Sequence, residues 1–191
     1  LTDQNIFIFG IKPSEPSSEY GYFLSKKIKK YKIIVEPAKK NTAPAILSST
    51  LIKDIPNEQC LMFFPADHLV EKLSLFNKAI NKNKHHLTDQ NIFIFGIKPS
   101  EPSSEYGYFL TKKNKDNINK VTKFIEKPNK AKAKQVIKKK GYWNAGMFFV
   151  RKDSIINNFK KYQPNIYRNC VKSVSKAKLI NHTYYLNKAS F

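Results

Sequence analysis

Asp67 stands where residue type and position together suggest chemistry. It follows the apolar run Cys60-Leu61-Met62-Phe63-Phe64 and the pair Pro65-Ala66. A carboxylate just past the carboxyl end of a strand can hold a hydrated Mg²⁺ or a polar substrate group, or it can cap a helix starting near Leu69. Glu126-Lys127-Pro128 sets an acceptor-only carboxylate beside a compact ammonium, suited to hydroxyls and phosphate or simply to an exposed ion pair of little energetic worth. Asn41 or Thr42 can cap a helix carrying Ala43 and Pro44 in its first turn, and a helix amino terminus is a ready site for an anion or a base edge. Gly107, between Tyr106 and Tyr108, permits either a bulge or a close approach of backbone to a ligand. Asn144 and Gly146 stand at the mouth of an aromatic segment in which Trp143 reads as core. His85-His86 close a helix, with no third ligand at a metal-site spacing.

These groups need elements to position them. The run 60–64 has no polar alternation, which predicts a strand covered on both faces within a parallel sheet. Further strands are predicted at 32–35, 91–97 (also buried), 121–125 and from 142 onward. Ile46, Leu47, Leu51 and Ile52 recur at helical spacing and stop before Pro56, while Val70, Leu73, Phe76, Ala79 and Ile80 form one stripe of a helix over 69–83. A Lys-rich helix over 130–140 is closed by Gly141. Two more, at 153–162 and 165–177, are separated by Pro164, and the pattern then fades.

Residues 1–24 repeat residues 87–110 without a single difference, and similarity continues through Lys26-Lys27 against Lys112-Lys113. Architectural repeats diverge and recur three or more times, so two undiverged copies point to a displaced duplicate rather than a solenoid. The second copy sits between a predicted helix and a predicted strand. The chain therefore divides into a duplicate of 87–117 at 1–31, expected to have no slot in the sheet, and a domain over 32–191.

The net charge of +21 attracts polyanions whatever the fold. Yet all but Arg151 and Arg168 of the 35 basic residues are Lys, whereas phosphate and base-edge sites favour the guanidinium fork. The charge is read as solvated surface, not as a nucleic-acid site. No apolar run approaches the roughly 20 residues that span a bilayer. Cys60 and Cys170 make no disulfide framework and fit a reducing cytoplasm.

Four clusters follow one another in order: Glu36-Pro37 with Asn41-Thr42-Ala43-Pro44-Ala45; Pro65-Ala66-Asp67-His68; Phe95-Gly96-Ile97 with Tyr106-Gly107-Tyr108; and Phe124-Ile125-Glu126-Lys127-Pro128 with Trp143-Asn144-Ala145-Gly146-Met147-Phe148. Together they resemble the mannose-1-phosphate guanylyltransferases of the sugar-nucleotide pyrophosphorylase superfamily, over roughly residues 32–164. The resemblance implies an α/β fold with a Rossmann-like, doubly wound, mixed and mainly parallel sheet of the nucleotide-diphospho-sugar transferase type. It implies GDP-mannose and pyrophosphate made from GTP and mannose 1-phosphate. It lays Asn41, Thr42, Ala43 and Pro44 against guanine, Mg²⁺ on Asp67, Gly107, Glu126 and Asn144 around the sugar, and Lys127 on the sugar phosphate. Another hexose 1-phosphate, or a non-catalytic basic binding module, is the alternative, and a homo-oligomer is left open.

The family's Gly-rich phosphate loop, with its Arg and following Lys, has no counterpart among the six scattered glycines, and its second metal-binding Asp falls past Phe191. The expectation is a domain incomplete at both ends, its sugar side largely present and its own activity weak or absent.

Overall fold

A computed structural model describes residues 6–11, 31–52, 55–65, 68, 70–114 and 118–191. The strands in chain order are β1 (Ile6–Ile11), β2 (Tyr31–Glu36), β3 (Cys60–Phe63), β4 (Ile92–Ile97), β5 (Tyr108–Lys112), β6 (Lys120–Ile125), β7 (Tyr142–Arg151), β8 (Lys178–Ile180) and β9 (Thr183–Tyr185). The α-helices are α1 (Thr42–Thr50), α2 (Leu73–Asn83), α3 (Lys130–Lys138), α4 (Lys152–Tyr162) and α5 (Pro164–Ser175). They fall into two compact units, Leu1–Cys60 with Arg151–Phe191, and Leu61–Val150.

The first unit is built on a sheet of order β1-β2-β9-β8. Here β2 runs parallel to both β1 and β9, while β8 and β9 form an antiparallel hairpin. Its two turn residues, Asn181 and His182, both take positive φ (44° and 66°), the twist that suits a two-residue hairpin turn. Helices α1, α4 and α5 pack on one another, and α1 also packs on β2. Ile34, Leu47, Ile52, Ile55, Ile155, Cys170 and Leu186 are buried. Small hydroxyl residues let these helices approach, and several of their polar atoms are returned to backbone: Ser49 Oγ and Thr50 Oγ1 donate to the Ile46 carbonyl at 2.7 and 2.5 Å, and Ser173 Oγ to that of Asn187 at 2.9 Å.

The second unit is organised by β7. On it lies β3, β4 pairs antiparallel from Ile92↔Val150 to Ile97↔Trp143, and β5 pairs antiparallel through Tyr108↔Trp143 and carries β6 as an antiparallel neighbour. Its core gathers Tyr108, Ala133 and Val136, with Leu110, Ile125, Ile137 and Trp143 packed against them. Tyr108 is fully buried, and its hydroxyl is satisfied by donating to Ser103 O at 2.9 Å and accepting from Ser103 N at 3.0 Å.

The mixed α/β class is the one expected. Parallel pairing characterises the first sheet, but β4, β5 and β6 join the second by antiparallel pairing, which a short link such as 113–119 between β5 and β6 permits and a parallel crossover would not. The first copy of the repeat, expected to lack a slot, lies parallel beside β2 along all of Ile6–Ile11. Backbone pairing does not depend on side-chain identity, so the same hexapeptide serves as a parallel strand in β1 and an antiparallel one in β4. Neither β3 nor β4 is buried on both faces: β3 is half-buried throughout, and Ile92 and Ile97 of β4 are exposed. An apolar run reports affinity for the β conformation and cannot report how many layers cover it. The β8–β9 hairpin was not foreseen. Three-residue strands are too short for periodicity, and the signal lay in the turn at Asn181.

Helix α3 ends at Lys138, two residues earlier than its closing glycine implies. Lys140, not Gly141, takes the left-handed conformation (φ 58°), while Lys140 N–H bonds to Ile137 O at 2.8 Å and Gly141 N–H to Val136 O at 3.0 Å. A Lys there bears the left-handed penalty, so Lys140→Gly is expected to raise stability by about 1 kcal/mol in urea denaturation. Gly96 is constrained differently. A Cβ at this position would come within 2.7 Å of the Phe109 ring and 2.8 Å of Tyr142 Cβ, so Gly96→Ala is expected to cost about 1–3 kcal/mol in the same measurement.

Candidate functional site

Three of the residues singled out for the sugar side converge in the second unit. Gly107 is buried at the start of β5, and its carbonyl accepts the Asn144 N–H of β7 at 2.7 Å. Glu126, just past β6, brings Oε2 to 2.9 Å from where a Gly107 Cβ would stand. Any side chain at 107 would therefore displace that carboxylate. Asn144 is half-buried, and its Oδ1 accepts the Gly146 N–H at 3.2 Å, holding Gly146 in a left-handed conformation (φ 66°) close to Pro65. Three strand ends are thus tied at one place, with a carboxylate, an amide and a bare backbone segment presented together.

Lys127 follows Glu126 with φ 39°, exposed and making no ion pair among the described residues. A non-glycine residue in this region is held there at a cost, and such positions concentrate at functional sites. Beside Gly107, the ring of Tyr106 lies 4.9 Å from that of Trp143 and is 48% exposed. Trp143 packs against the core as expected, although its Nε1 is buried without a partner. In the sequence, the signal for Tyr106 is its place beside Gly107.

The residues assigned to the base belong to the first unit. Asn41 precedes α1 with φ 66°, ψ −175° and no side-chain cap bond, so the expected Asn cap is not made. Asn41, Thr42 and Ala43 are exposed and Pro44 half-buried. The first-turn N–H groups of Thr42 and Ala43 point out of the helix start, where they can meet an acceptor. Asp67 lies outside the described residues, and among those described no group of three His, Cys, Asp or Glu side chains is placed to hold a metal.

Residues 23–189 match the nucleotidyl transferase family. The chain belongs to that family. It is 36% identical over 151 residues to a mannose-1-phosphate guanylyltransferase of Escherichia coli, covering 74% of this chain and 32% of that one. A putative mannose-1-phosphate guanylyltransferase of Vibrio cholerae is 30% identical, over 84% of this chain and 37% of its own length. Alginate biosynthesis protein AlgA of Pseudomonas fluorescens is 27% identical, over 87% and 36%. The chain therefore spans about a third of the length of these curated relatives. Among solved structures, a mannose-6-phosphate isomerase from Helicobacter pylori superposes with a TM-score of 0.75 at 29% identity, over 87% of this chain and 65% of that one. A Thermus thermophilus structure described as a mannose-1-phosphate geranyltransferase shares the fold, with a TM-score of 0.67 at 24% identity, over 76% and 44%.

In this nucleotidyl transferase the last residue of β2, Glu36, is 7% exposed, and its Oε1 has no hydrogen-bond partner. Burial raises its pKa from the usual 4.5 to about 7. Cys170 of α5 lies close by. Burial pushes its thiol up, the Ser48 hydroxyl lowers it in part, and the Glu36 carboxylate raises it further. Lys152 is buried too, and burial lowers its pKa, but its Nζ donates to Ile55 O at 2.6 Å. Glu36 thus stands out as a titratable group whose compensation is incomplete.

The folded chain holds the Glu36 proton more tightly than the unfolded chain. Its favourable linkage is full below about pH 4.5, where both states carry the proton, and is lost as pH rises to about 7. A Gln at this position does not titrate. The stability of Glu36→Gln relative to the parent chain is therefore expected to rise across this window by about 3 kcal/mol and to be flat on either side, as read by urea denaturation at a series of pH values.

Proposed function

We propose that this nucleotidyl transferase chain carries the sugar-binding and part of the base-binding machinery of an enzyme forming GDP-mannose and pyrophosphate from GTP and mannose 1-phosphate. The observation that carries the reading is the convergence of Gly107, Glu126 and Asn144, with Lys127 adjoining, at the tied ends of β5, β6 and β7. The names of the relatives support the same substrates.

The chemistry follows from the donor and acceptor types. Glu126 offers only acceptors, which suits sugar hydroxyls, and the amide of Asn144 offers donors once its oxygen is engaged by Gly146. Gly107 removes the side chain that would fill the space beside the carboxylate. Lys127 offers a point charge to the sugar phosphate, and Asn41 to Pro44 face guanine at the exposed start of α1. Asp67 is proposed to hold Mg²⁺, which when bound neutralises charge on the nucleotide phosphates. A phosphate oxygen of mannose 1-phosphate attacks the α-phosphorus of GTP while the bond to the β-phosphate oxygen breaks, so no covalent intermediate on the protein is required. The residues contribute alignment and charge compensation.

Thermal melting of the full 191-residue chain tests this reading. A ligand at about a hundred times its Kd, bound only to the folded state, stabilises by about 2.7 kcal/mol, or roughly 5–10 °C for a chain of this size. GDP-mannose with Mg²⁺ is expected to give such a shift, and Glu126→Gln to weaken binding by about tenfold or more. A cooperative melt indifferent to GDP-mannose would sink the proposal. An equal shift with the glucose analogue would move the substrate to another hexose 1-phosphate.

A further inference from the structure

The repeat supplies two identical strands for two different slots. In the second unit, Ile92, Phe93, Ile94, Gly96 and Ile97 of β4 each meet a defined partner on β7, with a register shift at Phe95 and the Gly96 backbone lying over Phe109 and Tyr142. Every side chain used in that ladder has its duplicate in Ile6, Phe7, Ile8, Gly10 and Ile11, and the identity extends well beyond the strand on both sides. A slot that accepts the second copy must accept the first in the same register, with the same contacts. In β1 that hexapeptide makes only a parallel ladder with β2, as the end strand of its sheet.

We propose that the duplicated hexapeptide is an exchangeable strand: Ile6–Ile11 of one chain takes the place of Ile92–Ile97 against β7 of a second copy, so that the chain associates with itself by strand exchange. The released β4 is identical to β1, so it can take over the parallel ladder on β2 that β1 leaves. Trading the two strands conserves the backbone ladder in both slots and puts the same residue types in each. What differs is tethering. Within one chain β4 has the advantage of a covalent connection, equivalent to a high effective concentration, so the exchanged form grows with protein concentration. The hexapeptide Ile-Phe-Ile-Phe-Gly-Ile bears no charge and no Pro, the features that otherwise discourage strand pairing between molecules, and it remains pairing-competent on a chain of net charge +21. Added salt screens the repulsion between chains and favours the exchange.

The register gives a direct test, because Ile94 opposes Phe148 and Ile8 is its duplicate. Full-length chains carrying Ile8→Cys, isotopically labelled, are mixed with unlabelled chains carrying Phe148→Cys and oxidised gently. A disulfide between positions 8 and 148 can then form only between molecules, and mass spectrometry identifies it. The expected result is this bond, with a yield that rises about tenfold for a tenfold rise in concentration while exchange is the minor state. A single chain carrying Ile94→Cys with Phe148→Cys shows that the ladder position closes. If that control closes and the mixture gives no more 8–148 bond than Ile8→Cys mixed with Tyr162→Cys, the proposal is overturned. Sedimentation of the unmodified chain gives an answer free of the variants: a monomer at every accessible concentration and salt overturns it, and a dimer population growing with concentration supports it.

Discussion

Backbone pairing along β7 is the constraint on which the second unit depends. This ten-residue strand has β3, β4 and β5 along it, and its first residues serve β4 and β5 at once: Trp143 lies opposite both Ile97 and Tyr108. The candidate sugar site sits where these ladders meet. The Asn144 N–H bonded to the Gly107 carbonyl is a fold contact and a site contact in one. Little can move at Gly107 or Asn144 without loosening the sheet, which is the rigidity that a site relying on alignment needs.

The first unit solves a different problem, how to bring three helices together with few large apolar residues. Ser48, Ser49, Thr50, Ser154 and Ser173 are buried between α1, α4 and α5. Small residues permit close approach, but each hydroxyl must then find an acceptor, and several find one in the carbonyls of their own turn or of a neighbouring segment. Lys152 is accommodated by one backbone carbonyl. Glu36 is not accommodated in this way and stays protonated over most of the acid range. A buried acid kept neutral by its surroundings costs less than a buried carboxylate, but it makes the stability of the unit depend on pH.

Much of this was legible in the sequence, for physical reasons that differ from element to element. Helix α1 announced itself by apolar spacing, α3 by a Lys-rich run before Gly141, and α4 and α5 by the Pro164 that divides them, while the cap of α3 at Asn129, whose side chain accepts from the Lys132 N–H, went unread. Strands β2, β6 and β7 were found from β-branched and aromatic runs. Burial was misread at β3 and β4, because composition sets the tendency of a segment to extend while its covering depends on elements far along the chain. The residues proposed for the sugar site, Gly107, Glu126 and Asn144, were recognisable as types, yet their meeting depends on the β5–β7 register, which no local pattern encodes. Glu36 looked like an ordinary strand end, since neither its burial nor its missing partner can be read without α1 and α5. Asp67, the residue on which the sequence reading turned, falls outside the described residues.

The presence of Ile-Phe-Ile-Phe-Gly-Ile in both a parallel and an antiparallel ladder also affects how the molecule can be observed. Fragments cut from inside the two copies have the same mass and the same fragmentation, so peptide-level amide exchange would superimpose two populations under one spectrum. A double isotopic envelope over this segment would then signify two locations, and would be mistaken for two conformations of one strand. Amide-resolved spectroscopy avoids the ambiguity, since Val35 faces Gly10 and Asn144 faces Gly96, giving each copy its own neighbours and its own chemical shifts.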